Sequence, residues 1–246
     1  MTHVTTVLIV RADRLSAESL RKVARKVLPK SNIEIASCAE RARERLAARS
    51  FELLITGFDP TMEGDVLGLI GASLAAPSPR VFVIAGDEEG RLLMALPALA
   101  VHSVFDALHD EPTRFEEALA NVAGGGRYWS PTIWPRILGY QGAVNSPEKA
   151  LTATERMVLS VVGDGSDDAS AAETLGLKPA TVTSIRRNLH RKLGVQHRGD
   201  LVRFAAQHGF VRFTTNGVVR PGFSLLAAAC RSPKTKPHLS SHALCA

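Results

Sequence analysis

Disulfide chemistry, membrane insertion and phosphate-loop chemistry are each opposed by something this chain of 246 residues lacks. Its three cysteines, Cys38, Cys230 and Cys245, are odd in number and widely scattered. That argues against a disulfide framework and for a reducing cytoplasm. No apolar run approaches the length of a membrane span, and Met1-Thr2-His3 begins no signal peptide. The one glycine cluster, Gly124-Gly125-Gly126, follows a helical pattern instead of preceding one, so it is no phosphate-binding loop. No nucleophile–base pair stands at the end of any strand pattern, and we expect no enzyme and no cofactor.

Apolar residues make up 45% and charged residues 22% of the chain, enough to bury two modest domains. Charge is unevenly placed. Residues 1–150 hold 17 basic and 18 acidic side chains, whereas residues 151–246 hold 13 and 6. From Gly176 onward one acid, Asp200, stands against 12 basic residues. A neutral front and a basic back suit a globular module joined to a part that meets a polyanion; a basic solvated tail is the plainer reading.

The front half alternates. Strand patterns at Val7–Val10, Ile33–Ile35, Leu53–Thr56, Val81–Ile84 and Val101–Phe105 are separated by helical patterns, the last at Thr113–Val122. Pro97 should end or kink the helix that starts near Glu89. Strands apolar throughout are buried on both faces, which calls for a parallel sheet between two helix layers. The expected fold is α/β, a flavodoxin-like five-stranded parallel sheet over residues 1–124, then a linker over 125–149 rich in proline and glycine. Trp129 and Trp134 should pack that linker.

The back half has no strand pattern over 150–213 and reads as all-α. Thr152 and Glu155 have capping-box spacing. A short helix, Ala169–Leu175, stops at Gly176, and Pro179 opens a longer one that runs to Leu193 before Gly194. Short helix, glycine turn and longer helix is a helix-turn-helix layout. Val182, Ile185, Leu189 and Leu193 give the longer helix a dry face. Its other faces carry Thr181, Thr183, Ser184, Arg186, Arg187, His190, Arg191 and Lys192. Short hydroxyls near the N-terminus and cations further along suit phosphates and base edges. The stretch 214–246 is expected to be a mostly mobile tail.

"LTATERMVLSVVGDG" with "AAETLGLKPATVTSIRRNLHRKLGV" resembles the four-helix domain of LuxR-type regulators. The matching positions are Leu151, Thr152, Glu155, Val158, Leu159, Gly165, Ala172, Leu175, Thr181, Val182, Lys192, Leu193 and Gly194. Departures are Thr154, Ser170, Lys178, Thr183 and Ile185, which bear on DNA sequence preference. The resemblance implies double-stranded DNA as partner, with Thr181 and Lys192 on the backbone and Thr183, Ser184 and Arg187 toward the major groove. It also implies a homodimer through the fourth helix, around Leu201 to Ala205, in a bacterial cytoplasm.

A doubly wound domain ahead of such a unit, with "GGGRYWSP" at its exit, resembles the receiver domain of a NarL/FixJ-like response regulator. A working receiver of that family has two acids after the first strand, an aspartate at the end of the third, a Thr or Ser after the fourth and a Lys after the fifth, since phosphoryl transfer demands positioning and neutralised charge. Here those positions are Arg11, Ala12, Thr56, Ala85 and Ala107, and no lysine lies between Lys30 and Lys149. The expectation is a degenerate, phosphorylation-independent receiver that dimerises or binds a protein or small-molecule partner. The alternative is phosphorylation at a non-standard acceptor, Asp59 or Asp13. His238, His242 and Cys245 are weighed as metal ligands and set aside for a disordered tail. Cys38 reads as a small buried residue or a redox switch, and Asp87-Glu88-Glu89 as an exposed helix start.

Overall fold

The computed structural model describes residues 4–59, 61–74, 79–86, 90–142 and 150–231. The chain opens with five β-α units. Strands β1 (Thr6–Val10), β2 (Asn32–Ala36), β3 (Leu53–Gly57), β4 (Arg80–Ala85) and β5 (Ser103–Asp106) are each followed by a helix. These are α1 (Arg14–Val27), α2 (Ala39–Ala48), α3 (Val66–Ser73), α4 (Gly90–Ala98) and α5 (Thr113–Ala123). The strands pair in parallel, and alternate residues supply two separate cores. Leu8, Val10, Leu54, Val81, Val83 and Val104 pack toward α2, α3 and α4. Val7, Ile9, Leu53, Ile55, Phe82 and Phe105 pack toward α1 and α5. Each fully buried aliphatic side chain contributes about 2 kcal/mol of burial, so the double-faced pattern outweighs the weak propensities of the short strands.

The sheet has six strands, not the five expected, in the order β2-β1-β3-β4-β5-β6. The sixth, β6 (Tyr128–Trp129), lies within the expected linker and runs parallel to β5. Two residues leave no periodic trace in a sequence. Serine hydroxyls hold them in place: Ser103 Oγ accepts from the Tyr128 amide at 2.9 Å, and Ser130 Oγ from the Asp106 amide at 2.9 Å. Helix α6 (Ile133–Gly142) then folds back over α4, burying Ile133 and Ile137 in the first core. Much of 125–149 is therefore an integral part of the α/β layer. Trp129 and Trp134 stack, with ring centroids 5.2 Å apart. Pro97 sits one residue before the end of α4.

The second half contains α7 (Ala153–Val162), α8 (Asp168–Leu175), α9 (Pro179–Leu193) and α10 (Arg198–Gln207) around one core. Thr152 and Glu155 form the capping box in full. Gly163 caps the C-terminus of α7. The expectation of a mobile tail from 214 is wrong for residues 214–231. An antiparallel hairpin, β7 (Arg212–Thr214) and β8 (Gly217–Val219), leads into α11 (Phe223–Arg231), which lies against both α7 and α3. Phe223 packs on the core of one domain and Leu225 on that of the other, so the two do not share one stripe to read. Asp87, Glu88, Glu89, His238, His242 and Cys245 lie outside the described residues.

Candidate nucleic-acid interface

The turn between α8 and α9 depends on backbone geometry that glycine tolerates. Gly176 sits at φ 64° and closes α8, whose N-terminus is capped by Asp167 accepting from the Ser170 amide. Pro179 then starts α9. Val182 and Leu189 are fully buried, and Ile185 and Leu193 pack at the margin of the same core. With that face pinned inward, Lys178, Thr181, Ser184, Arg187 and Arg191 fall on the exposed side. Their spacing of three and four residues makes one stripe along the helix. Arg187 and Arg191 have no ion-pair partner among the described residues. Lys178, at the position before the first turn, was read from the sequence only as a departure from a family pattern. Its exposure beside the open helix N-terminus is what adds it to the stripe.

Of the eight polar residues expected on the outer faces of α9, four are engaged inside the domain. Arg186 is mostly buried: Nε donates to Asp168 Oδ1 at 2.6 Å and Nη2 to the Ser166 carbonyl at 2.8 Å. Thr183 remains exposed, but its hydroxyl donates to Asp168 Oδ2 at 2.6 Å. Burial pushes the Asp168 carboxyl up, and its bonds from Thr183 and Arg186 outweigh that and hold it below the usual aspartate range. Lys192 Nζ donates to Glu155 Oε2 at 2.7 Å and to the Ala150 carbonyl at 3.2 Å. His190 Nδ1 lies 2.9 Å from the Val195 carbonyl. Asp168 thus ties α8 to α9, a role no sequence pattern announces because it needs the two helices to cross. Changing Arg186 to alanine is expected to cost about 1–2 kcal/mol in urea unfolding, with the salt dependence of DNA binding unchanged. A shallower salt slope would make Arg186 a phosphate contact instead.

The expected dimer contact also needs correcting at the residue level. Leu201 and Ala205 are fully buried in the domain's own core. The solvent side of α10 carries Arg198, Arg203 and Gln207, with Val202 and Ala206 half-buried beside them. Any pairing through this helix has to use that side.

At the other end of the molecule, β1, β3, β4 and β5 bring their C-terminal ends to one rim. Arg11 follows β1, and its amide donates to the Ala36 carbonyl at 3.0 Å. Its side chain reaches across the end of β3: a Cβ built on Gly57 would run into the Ile84 carbonyl oxygen and lie 2.8 Å from Arg11 Nη2. Thr56 is fully buried, and its hydroxyl has no hydrogen-bond partner among the described residues. Ala85 is buried at the end of β4, Ala12 is half-buried and Ala107 exposed. The two stray acids are occupied locally. Asp13 caps α1 by accepting from the Ser16 amide at 2.6 Å, and Asp59 accepts from the amide and hydroxyl of Thr61 at 2.8 and 2.7 Å.

One rim carboxylate escaped the sequence reading. Asp106, the last residue of β5, is fully buried. It accepts from Arg136 Nη1 at 3.1 Å, Thr132 Oγ1 at 2.8 Å and the Leu108 amide at 3.1 Å. Arg136 also donates to the Gly86 carbonyl at 2.6 Å, tying α6 to the ends of β4 and β5. A divalent cation of the magnesium type needs several oxygen ligands converging on one point. This rim offers a guanidinium, a methyl group and a buried hydroxyl where those ligands belong, so the residues present do not fit it. Among the described residues no group of three or more His, Cys, Asp or Glu could hold a metal ion.

A parallel α/β domain ahead of a helix-turn-helix domain is the class of protein these features define. Residues 149–205 match the family of "Bacterial regulatory proteins, luxR family". The transcriptional regulatory protein MctR of Rhizobium johnstonii is 37% identical over 94 residues, 38% of this chain and 43% of that protein. The match thus spans less than half of that relative's length. Over 84% of this chain and 99% of the other, the fold is similar to RcsB in a structure of two RcsB dimers bound to two parallel DNAs, with 19% identity and a TM-score of 0.51. RcsB from Salmonella enterica serovar Typhimurium, bound to a promoter in the presence of phosphomimetic BeF3-, aligns at 20% identity and a TM-score of 0.50, covering 82% of this chain and 98% of that chain. At this identity the likeness concerns the fold. No helix among the described residues is long and apolar enough to cross a membrane.

Proposed function

We propose that this protein is a DNA-binding transcription regulator of the response-regulator type, acting as a homodimer in a bacterial cytoplasm, and that its N-terminal domain works without phosphorylation. The observation that carries the DNA reading is the exposed stripe Lys178, Thr181, Ser184, Arg187 and Arg191 on a helix of a luxR-type domain. Thr183 borders the stripe, and Lys192 stands behind it as a brace that can reach a phosphate only by leaving Glu155. The neutral hydroxyls read shape and edges near the helix start, and the arginines supply the charge that makes binding salt-dependent.

The rim supports phosphorylation independence. A receiver pocket of Arg11, Ala12, Thr56, Ala85 and Ala107 has no carboxylate to take a phosphoryl group and no oxygen cage for the metal that transfer needs. The N-terminal domain is then a platform for dimerisation, or for a protein or small molecule, that biases which arrangement of domains is populated. Incubation with acetyl phosphate and Mg²⁺ is expected to leave the intact mass unchanged. Phosphate uptake abolished by Asp59→Asn or Asp13→Asn would establish the second reading, a regulator with a relocated acceptor.

A further inference from the structure

The segment that follows the DNA-binding helices turns back onto the α/β domain, and one carboxylate receives it. Asp65 caps α3, its Oδ1 accepting from the Gly68 amide at 2.8 Å. The same side chain accepts from the Gly222 amide at 2.5 Å, the Ser224 amide at 3.3 Å and Ser224 Oγ at 2.8 Å. Helix α3 carries glycine where α11 lies on it. A Cβ at Gly68 would collide with Ser224 Oγ, and one at Gly71 would lie 2.6 Å from a methyl carbon of Leu225. Leu225 packs on the core of the α/β domain, whereas Phe223, two residues earlier, packs on the core of the helical domain.

Backbone carbonyls around the hairpin are gripped as well. Arg91 of α4 donates to the Pro221 and Gly209 carbonyls and lies 4.8 Å over the Phe210 ring. Arg212 reaches the Asp59 carbonyl at 2.8 Å, and Asn216 donates to Glu63. These contacts bind two domains through a segment that belongs to neither core alone. In this docked arrangement the stripe on α9 stays exposed.

We propose that residues 209–225 are a staple, anchored on Asp65, that fixes the orientation of the DNA-binding domain on the α/β domain and thereby sets the half-site spacing the dimer accepts. The inference rests on the reading of the protein as a dimeric DNA binder. Two recognition helices must reach successive major grooves, about 34 Å apart. A rigid pair of domains meets that condition at one spacing only. A pair on a loose tether meets it at many, with a lower effective concentration at each.

The test uses the full chain and duplexes selected from a random pool by the wild-type protein, rebuilt as a single half-site and as inverted repeats whose spacing is varied base by base. Wild type is expected to prefer one spacing by about a hundred-fold over the worst. Asp65→Ala and, independently, Gly71→Leu are expected to flatten that profile to within about three-fold, with single half-site affinity unchanged. X-ray scattering of the same variants without DNA should show a larger radius of gyration. An unchanged spacing profile in variants whose domains have separated overturns the proposal, as does scattering that shows both variants still docked. Failure of the wild type to select any duplex would instead count against the DNA-binding reading, and the scattering arm would still decide whether the staple exists.

Discussion

Changing Asp106 to alanine is expected to destabilise the N-terminal domain by roughly 3 kcal/mol and to free α6 from the sheet. Asp106 is fully buried, and its partner Arg136 is mostly so. Removing the carboxylate leaves a guanidinium in a low-dielectric site with, among the described residues, the Gly86 carbonyl as its remaining partner, and deprives Thr132 and the Leu108 amide of their acceptor. Leaving an uncompensated buried charge is the expensive way to break an ion pair. Asp106→Asn keeps the shape and one acceptor oxygen, so its loss should be smaller. The chain has two tryptophans, Trp129 and Trp134, and they stack at the base of α6. Their fluorescence therefore reports the release directly. An urea midpoint close to wild type with unchanged emission would show that α6 is held by Ile133 and Ile137 alone.

The same group gives a pH dependence of known sign. Burial pushes the Asp106 carboxyl up, but the bonds from Thr132 and Leu108 and the charge of Arg136 outweigh it, so the folded value lies below the ordinary one. As pH falls, the unfolded chain takes up its proton first. Stability from Asp106 is complete above the unfolded value of about 3.9 and drains away as pH drops toward the folded one. Asp110, bonded by Tyr128 and Ser130, is lowered in the same way and adds to this acid loss. In Asp106→Asn the acid limb of the stability curve should be shallower.

Continuous apolar runs carried the strands, and period-3.6 patterns the helices and the helix-turn-helix, because those elements bury two faces or one against a core. β6 and α11 escaped for a physical reason. Tyr128–Trp129 is held by two serine hydroxyls and one strand edge, and α11 contributes Leu225 to one core and Phe223 to another. Neither repeats long enough to make a pattern. The rim positions could be named in the sequence because the family resemblance assigns residue types to fixed places. Asp106 could not, since an acid at a strand end looks the same whether it meets solvent or Arg136. On α9 the sequence separated the dry face from the wet one. It could not separate Arg186, turned onto Asp168, from Arg187, turned outward, because one residue step decides which of them meets α8.

That one-residue step yields the second large expected effect. Thr183→Ala with Arg187→Ala should weaken binding to the selected duplex by about ten- to a hundred-fold, since a good base contact is worth about 1–3 kcal/mol. Arg187 should carry most of it. It is exposed and has no ion-pair partner among the described residues, whereas the Thr183 hydroxyl must give up Asp168 to reach a base. Both side chains lie outside the core, so thermal unfolding of the variant should match wild type within the loss of one surface hydrogen bond. Arg191→Ala, further along the same stripe, should act differently. It should weaken binding to every duplex alike and lower the salt slope by about one. If the double variant binds its selected duplex as tightly as wild type, α9 does not enter the groove with this face. Another face of the domain would then make the base contacts.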